Sequence, residues 1–325
     1  MTAPVVFVSR PLPAPGVALL EAAGFAVALQ DQDRPATREE LLAGVAGAAG
    51  LLAMLTDRID EELLGLAPKL RVVANLAVGF DNIDVPAATA HQVVATNTPG
   101  VLTDATADLA FALLLAAARR LGEGERLVRS GAWTVWGPNQ LLGRPVAGQT
   151  LGIVGLGAIG TAVARRARGF GMSVVYVNRH AAPAAEAETG ARRVELDELL
   201  ATSDVVSLHA PLNDESRHLI DGAALARMKP TAVLVNTARG PLVDEEALVE
   251  ALRAGTIAAA GLDVYEDEPR LTPGLAELDN VVVLPHIGSA TTATRGAMVE
   301  LACRNIIDVL DGRTPPTPLN PEVLP

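Results

Sequence analysis

The sequence predicts an α/β protein of two doubly wound parallel-sheet domains, and three observations carry that expectation. Apolar strand-like runs alternate with helical segments through the first hundred residues, the pattern of a parallel sheet with right-handed crossover helices. A second alternating series contains a glycine-rich turn, Gly155-Leu156-Gly157-Ala158-Ile159-Gly160. Three apolar runs of that second series each end near a different ionisable residue: Arg239, Glu268 and His286.

In the first series the strand-like runs are Val5 to Ser9, Phe25 to Leu29, Leu51 to Leu55, Arg71 to Ala77 and Val93 to Ala95. Helical stretches lie between them at Gly16 to Ala23, Arg38 to Val45, Asp60 to Leu66 and Pro86 to His91. No phosphate-binding glycine loop occurs in this series, which makes it the candidate for the substrate side. The helix Thr103 to Leu121 opens the second series with Leu109, Ala110, Phe111, Leu113, Leu114 and Leu115 almost uninterrupted. A helix apolar on most faces must be buried on most faces. That burial can lie inside one subunit or in a twofold dimer, and a homodimer is expected. The helical stretch Ala290 to Leu310 and a proline-rich tail, Thr314 to Pro325, close the chain. Boundaries fall near Pro99-Gly100 and Gly288-Ser289, giving segments 1–99, 100–288 and 289–325.

The glycine turn follows the strand-like Thr150 to Val154, opens the helical stretch Thr161 to Phe170 and is succeeded by the strand Ser173 to Val177. That βαβ context turns a weak motif into a dinucleotide fingerprint. Its three glycines permit the tight turn, the approach of a pyrophosphate and close helix–strand packing, and the helix N-terminus offers free N–H groups to the phosphates. The residue placed to read the adenosine ribose is Asn178, eighteen positions beyond Gly160, followed by Arg179 and His180. NAD enzymes carry an acid there, whereas neutral asparagine with an adjacent arginine suits a 2′-phosphate. NADP(H) is therefore expected to be preferred, with NAD(H) usable. The alternative is an Arg179 that only points into solvent.

Ala232 to Ala238 delivers Arg239, Ala258 to Val264 is followed by Glu268, and Val281 to Pro285 delivers His286. In an open parallel sheet, ligands bind in the crevice beyond the carboxyl ends of the strands. An arginine, a carboxylate and a histidine delivered there can grip an anionic substrate and move a proton. Each taken singly is equally consistent with a surface loop residue. Of the other histidines, His209 ends the strand Asp204 to Leu208 and reads as structural, while His91 and His218 read as surface residues. No two histidines have metal-ligand spacing with a carboxylate between them, so no metal is expected.

Composition limits the alternatives. A chain of 325 residues with 50% hydrophobic and 20% charged residues has room for two domains. A formal net charge of −12 without a clustered basic face argues against nucleic acid. Arg165, Arg166 and Arg168 read as the solvated face of a helix. No apolar run is long enough to cross a bilayer, and the N-terminus does not look like a signal peptide. A single cysteine, Cys303, forbids an internal disulfide, and a cytoplasmic location is expected.

The chain resembles the D-isomer-specific 2-hydroxyacid dehydrogenases over nearly its whole length. The matching stretches are Leu51 to Asp57, Asn75 to Asp84, Asn97 to Gly100, the glycine fingerprint, Leu208 to Leu212, Asn236 to Gly240, Gly261 to Val264, Glu268-Pro269 and Leu284 to Ala290. Within that family, Leu51 to Asp60 and the pair Trp133 and Trp136 look most like the glyoxylate/hydroxypyruvate reductase branch. The resemblance implies a Rossmann-type cofactor domain inserted in a flavodoxin-like substrate domain that regains the closing helix. It also implies that Arg239, Glu268 and His286 are catalytic in an NAD(P)-dependent reduction of a small 2-oxo acid to the D-2-hydroxy acid. His286 would donate the proton, and Glu268 would favour the imidazolium. Val78 and Gly79 would offer N–H groups to the substrate carboxylate, with Leu55 and Leu76 beside them. Thr106 and Asp263 would touch the nicotinamide half of the cofactor, and Pro211, Thr237, Ala238 and Gly288 would complete its site. Trp136 would reach towards the active site of a second subunit. Two rivals stand beside this reading. A phosphoglycerate dehydrogenase-like enzyme is disfavoured because Asn75-Leu76 offers no cation for a substrate phosphate. A dinucleotide-sensing corepressor scaffold is disfavoured by the absence of an extra tail or insertion.

Overall fold

A computed structural model describes residues 3–324. They form two units, one comprising the described residues up to Leu102 and those from Ser289 onward, the other Thr103–Gly288. The first division falls after Leu102, three residues later than the expected one after Pro99.

The first unit holds five strands, β1 (Val5–Val8), β2 (Ala26–Leu29), β3 (Gly50–Ala53), β4 (Val72–Asn75) and β5 (Val94–Thr96). All pair in parallel in the order β2-β1-β3-β4-β5, the flavodoxin-like order. β3 and β4 are buried at every position, which is why their sequences are continuous apolar runs and not alternating ones. The helix Thr292–Leu310 covers one face of this sheet, packing Val299, Ala302, Cys303, Ile306 and Val309 with Val6, Val8, Leu52 and Val72. The proline-rich tail also belongs to this unit. Leu319 N donates to Ala95 O at 2.8 Å, and Asn320 Oδ1 accepts from Ala95 N at 2.8 Å.

The second unit contributes β6 (Thr150–Val154), β7 (Ser173–Val177), β8 (Arg192–Arg193), β9 (Val205–Leu208), β10 (Val233–Asn236), β11 (Ala259–Leu262) and β12 (Val281–Val283). Their parallel order is β12-β11-β10-β9-β6-β7-β8. Counted from β6 this is the Rossmann order with one further strand, and it reverses between β6 and β9.

Several expected elements differ in detail. The helix after the glycine turn is Ala158–Gly169 and starts inside the motif, because Gly157 is its extended N-cap residue. The helix from Thr103 ends at Ala118; Arg120 adopts a left-handed φ of 54°, and a second helix runs Leu121–Arg129. The first of these helices buries much of its apolar surface in its own unit, while Leu109 and Leu115 stay half-buried. Its Ala107, Ala110, Phe111, Leu113, Leu114, Ala117 and Ala118 are buried within the unit, against the helix Ala158–Gly169 and strands β10 and β11. Each of its buried leucines contributes about 1.5–3 kcal/mol to the core. Arg166 is not a solvated residue: its guanidinium pairs with Asp108 at 2.6 Å and Asp104 at 3.1 Å, joining these two helices. Among the described residues no helix is long and apolar enough to cross a membrane.

Candidate active site

At the carboxyl edge of the seven-stranded sheet, β10, β11 and β12 lie side by side. Arg239 follows β10, Glu268 lies in the loop after β11, and His286 follows β12. His286 Nδ1 and Glu268 Oε2 are 2.8 Å apart, and both side chains are about 30% exposed (29% and 28%). Glu268 Oε1 accepts from Tyr265 N at 3.0 Å. Burial pushes the Glu268 carboxyl up, but the hydrogen bond and charge of His286, the Tyr265 N–H and the charge of Arg239 together bring it below its ordinary value. The group is therefore an anion at neutral pH.

The backbone around the trio is tightly specified. Asn236, the last residue of β10, accepts from Ala238 N through Oδ1 at 3.0 Å and donates through Nδ2 to Arg239 O at 2.8 Å. The Arg239 Nη1 donates to Ala238 O at 2.8 Å. Gly240 then presses against the next loop: a Cβ built on it would lie 1.8 Å from Tyr265 C and 2.3 Å from Glu266 N. That loop is clamped by Tyr265, whose hydroxyl donates to Leu284 O at 2.7 Å, and by the buried Glu245. Glu245 accepts from Glu266 N and from the Thr272 hydroxyl, each at 2.7 Å. His286 itself has a left-handed φ of 52°. Such a backbone costs on the order of 1–3 kcal/mol and persists only where its surroundings over-determine it. Asp263, 1% exposed, supplies that constraint: its two carboxylate oxygens accept from Ile287 N and Gly288 N, each at 2.7 Å. Burial raises its carboxyl pKa against the opposing pull of those N–H groups and of His286.

The fingerprint lies farther along the same edge. A Cβ on Gly160 would sit 2.2 Å from Gly155 O, and one on Gly155, at φ +99°, would sit 2.6 Å from Ala210 N, so helix, strand and neighbouring loop approach closely only because these positions are glycine. At Gly157 a Cβ would meet no protein atom within 4 Å. The turn therefore has a closed inner side and an open outer one, at the N-terminus of a helix with no acidic residue in its first turn. Thr237 Oγ1 is buried without a hydrogen-bond partner among the described residues. An open glycine turn and an orphaned hydroxyl fit a phosphate-bearing dinucleotide.

The remaining residues named from sequence divide into those brought to this edge and those that are not. Thr106, Asp263 and Gly288 converge: a Cβ on Gly288 would lie 3.2 Å from Asp263 Oδ2 and 3.6 Å from Thr106 Oγ1. Leu156 is buried in the core, so only its backbone faces the turn. Ala158, Pro211 and His180 are exposed; Ile159 and Ala238 are half-buried. Asn178 does not extend outward, because its Oδ1 accepts from Leu156 N at 2.7 Å, holding the glycine turn. Arg179 is exposed, and beside it stands Arg193, which no local sequence signal points to; its Nη2 donates to Asn178 O at 2.9 Å and Arg179 O at 3.0 Å. His218 is not a plain surface residue; its Nε2 lies 2.5 Å from Glu266 Oε1. His209 Nε2 lies 2.8 Å from Ser207 Oγ, and burial pushes its imidazole down to about 4, so it is neutral. Leu55, Leu76, Val78 and Gly79 lie in the first unit, on the loops after β3 and β4. Trp136 is 74% exposed.

Residues 111–288 match the model of the D-isomer specific 2-hydroxyacid dehydrogenase NAD-binding domain. A glyoxylate reductase of Thermococcus onnurineus is 51% identical over 325 residues, covering 99% of this chain and 97% of the relative. The solved glyoxylate reductase of Paecilomyes thermophila is 36% identical with a TM-score of 0.88, covering 99% of this chain and 100% of that one. An NADPH-dependent glyoxylate/hydroxypyruvate reductase of Sinorhizobium meliloti, solved with NADP and malonate, is 33% identical with a TM-score of 0.82, covering 97% and 96%. With two parallel α/β units, a Rossmann-ordered sheet carrying the fingerprint and the Arg239, Glu268 and His286 set at its edge, the chain belongs to the D-isomer specific 2-hydroxyacid dehydrogenases.

Proposed function

We propose that the protein reduces glyoxylate and hydroxypyruvate to the corresponding hydroxy acids, D-glycerate in the second case, with NADPH as the preferred reductant. The observation that carries this reading is the His286–Glu268 pair beside the Arg239 turn. Because His286 Nδ1 is engaged by Glu268, Nε2 is the atom left to give a proton to the substrate carbonyl oxygen. Glu268 stays anionic and favours the imidazolium. The Arg239 fork orients the carboxylate and carbonyl and offsets negative charge developing on oxygen. Val78 and Gly79 receive the substrate carboxylate on their N–H groups. The glycine turn, Thr106 and Thr237 would hold a nicotinamide dinucleotide, which when bound supplies the hydride.

Cofactor choice rests on the end of β7. Asn178 brings no negative charge, and Arg179 and Arg193 bring two positive ones to the same turn. Hydrogen bonds to charged groups contribute about 1.5–3 kcal/mol, so NADPH is expected to exceed NADH in kcat/KM by roughly 10–100-fold. Arg179→Ala should remove most of that preference by weakening NADPH alone. Steady-state rates with glyoxylate, hydroxypyruvate, pyruvate and 3-phosphohydroxypyruvate, each with both cofactors, test the whole reading. No turnover with any of the four would sink it; equal use of both cofactors would sink the cofactor assignment.

The protein is proposed to act as a homodimer. The support is an exposed apolar set in and after the helix Leu121–Arg129, namely Leu121, Val128, Trp133, Val135, Trp136 and Leu142, exposed by 50–74%. That helix buries none of its residues, and so many large apolar side chains exposed on one short stretch of chain support an interaction surface there. Sedimentation at micromolar concentration should give a dimer, and Val128→Asp with Trp136→Asp should give a monomer. A monomeric unmodified protein would refute the assignment.

A further inference from the structure

Three successive carbonyls on the loop after β4 are each held by a different donor. Thr98 N donates to Ala77 O at 2.8 Å, Asn97 Nδ2 to Val78 O at 2.7 Å and Asn75 Nδ2 to Gly79 O at 2.9 Å. The peptides concerned are trans, and in a planar trans peptide the N–H points opposite to the C=O. Fixing the carbonyls of Ala77 and Val78 therefore turns the N–H groups of Val78 and Gly79 to the other side, where neither has an acceptor among the described residues. Successive N–H groups turned one way form a concave anion-binding nest.

The two asparagines that hold it are themselves fixed. Asn75 is 0% and Asn97 7% exposed, and a buried amide is tolerated only when hydrogen-bonded. Asn75 forms a reciprocal amide pair with Asn82, at 3.0 and 3.2 Å. Asn82 Nδ2 also donates to Met54 O at 3.2 Å and Asp57 O at 2.9 Å, tying in the loop that carries Leu55. Asn97 O accepts from the Thr317 hydroxyl at 2.7 Å and from Asn305 Nδ2 at 3.3 Å, on the closing segment of the unit.

We infer that Asn97 and Asn75 are positioning residues for substrate recognition: Asn97, through the carbonyl of Val78, aims the Gly79 N–H at the substrate carboxylate, and Asn75, through the carbonyl of Gly79, fixes the peptide on the other side of that residue. This rests on the reading that Val78 and Gly79 receive that carboxylate. Neither asparagine touches substrate, so its effect must appear in substrate affinity and not in cofactor affinity or proton transfer.

The test uses the full-length enzyme and three variants, Asn97→Ala, Asn75→Ser and Gly79→Pro, with glyoxylate as substrate. For Asn97→Ala the KM for glyoxylate is expected to rise about tenfold, with kcat within about threefold, because a released carbonyl lets the peptide rotate. The dissociation constant for NADPH, measured by fluorescence titration, and the thermal midpoint should stay near those of the unmodified protein. Asn75→Ser should give the same pattern and stands in if Asn97→Ala does not fold. Gly79→Pro removes one nest N–H outright and should raise KM at least as much. If Gly79→Pro raises KM while both asparagine variants leave it unchanged, the positioning role is overturned and the carboxylate reading survives. If Gly79→Pro leaves KM unchanged, both fall together. A parallel loss of NADPH affinity and thermal stability in the asparagine variants would show a general structural role and also overturn the inference.

Discussion

Replacement of His286 by asparagine is expected to lower kcat by roughly 10²–10⁴-fold while NADPH binding survives, the range that a positioned proton donor contributes. Asparagine suits this test because it tolerates the left-handed backbone held at position 286. It can also occupy the place of the imidazole against Glu268, but it has no proton to give. Steady-state kinetics with a parallel cofactor titration measure it, and near-normal turnover would remove His286 from the mechanism. Glu268→Gln gives the complementary result through pH. Losing the anion 2.8 Å from His286 Nδ1 removes the charge that favours the protonated ring. The alkaline limb of kcat for reduction should move to lower pH, and activity should disappear from the high-pH side first. A superimposable pH profile would make Glu268 a structural residue.

Gly240→Ala is expected to cost at least about 10²-fold in kcat/KM, although the new methyl group reaches no substrate. The added Cβ would lie 1.8 Å from Tyr265 C and 1.9 Å from Tyr265 O, distances that only a separation of the two backbones can relieve. Arg239 precedes this contact on one side and Glu268 follows it three residues on from Tyr265 on the other, so that separation moves the arginine relative to the carboxylate. Misplacement of catalytic groups by about 1 Å can cost on the order of 10²-fold. Overpacking by one methyl group typically costs about 1–3 kcal/mol, so the thermal midpoint should fall without loss of the fold. Kinetics and a thermal melt on the same sample decide it; unchanged kcat/KM would mean that the loop yields without carrying Glu268 with it.

The sequence by itself determined what short-range periodicity encodes. The helix Arg38–Val45 and the strand Ser173–Val177 lie where apolar spacing puts them. The fingerprint is legible because its glycines, strand and helix are contiguous, and Arg239, Glu268 and His286 stand out because apolar runs lead to them in an order that a parallel sheet brings to one edge. The tertiary structure alone decided what depends on residues distant in the chain. It shows the Thr103 helix ending at Ala118, with Phe111, Leu113 and Leu114 buried in its own unit. It pairs His286 with Glu268 eighteen residues away, and it sets both oxygens of Asp263 on the loop beyond β12. It also brings Arg193 to the backbone of Asn178 and Arg179, and aims the amides of Asn75 and Asn97 at carbonyls on the loop after β4. The physical reason is that strand and helix patterns are set by neighbours two to four positions apart. A buried carboxylate, an amide or a glycine in close approach is chosen instead by the one atom it must meet, and that atom is supplied by the fold.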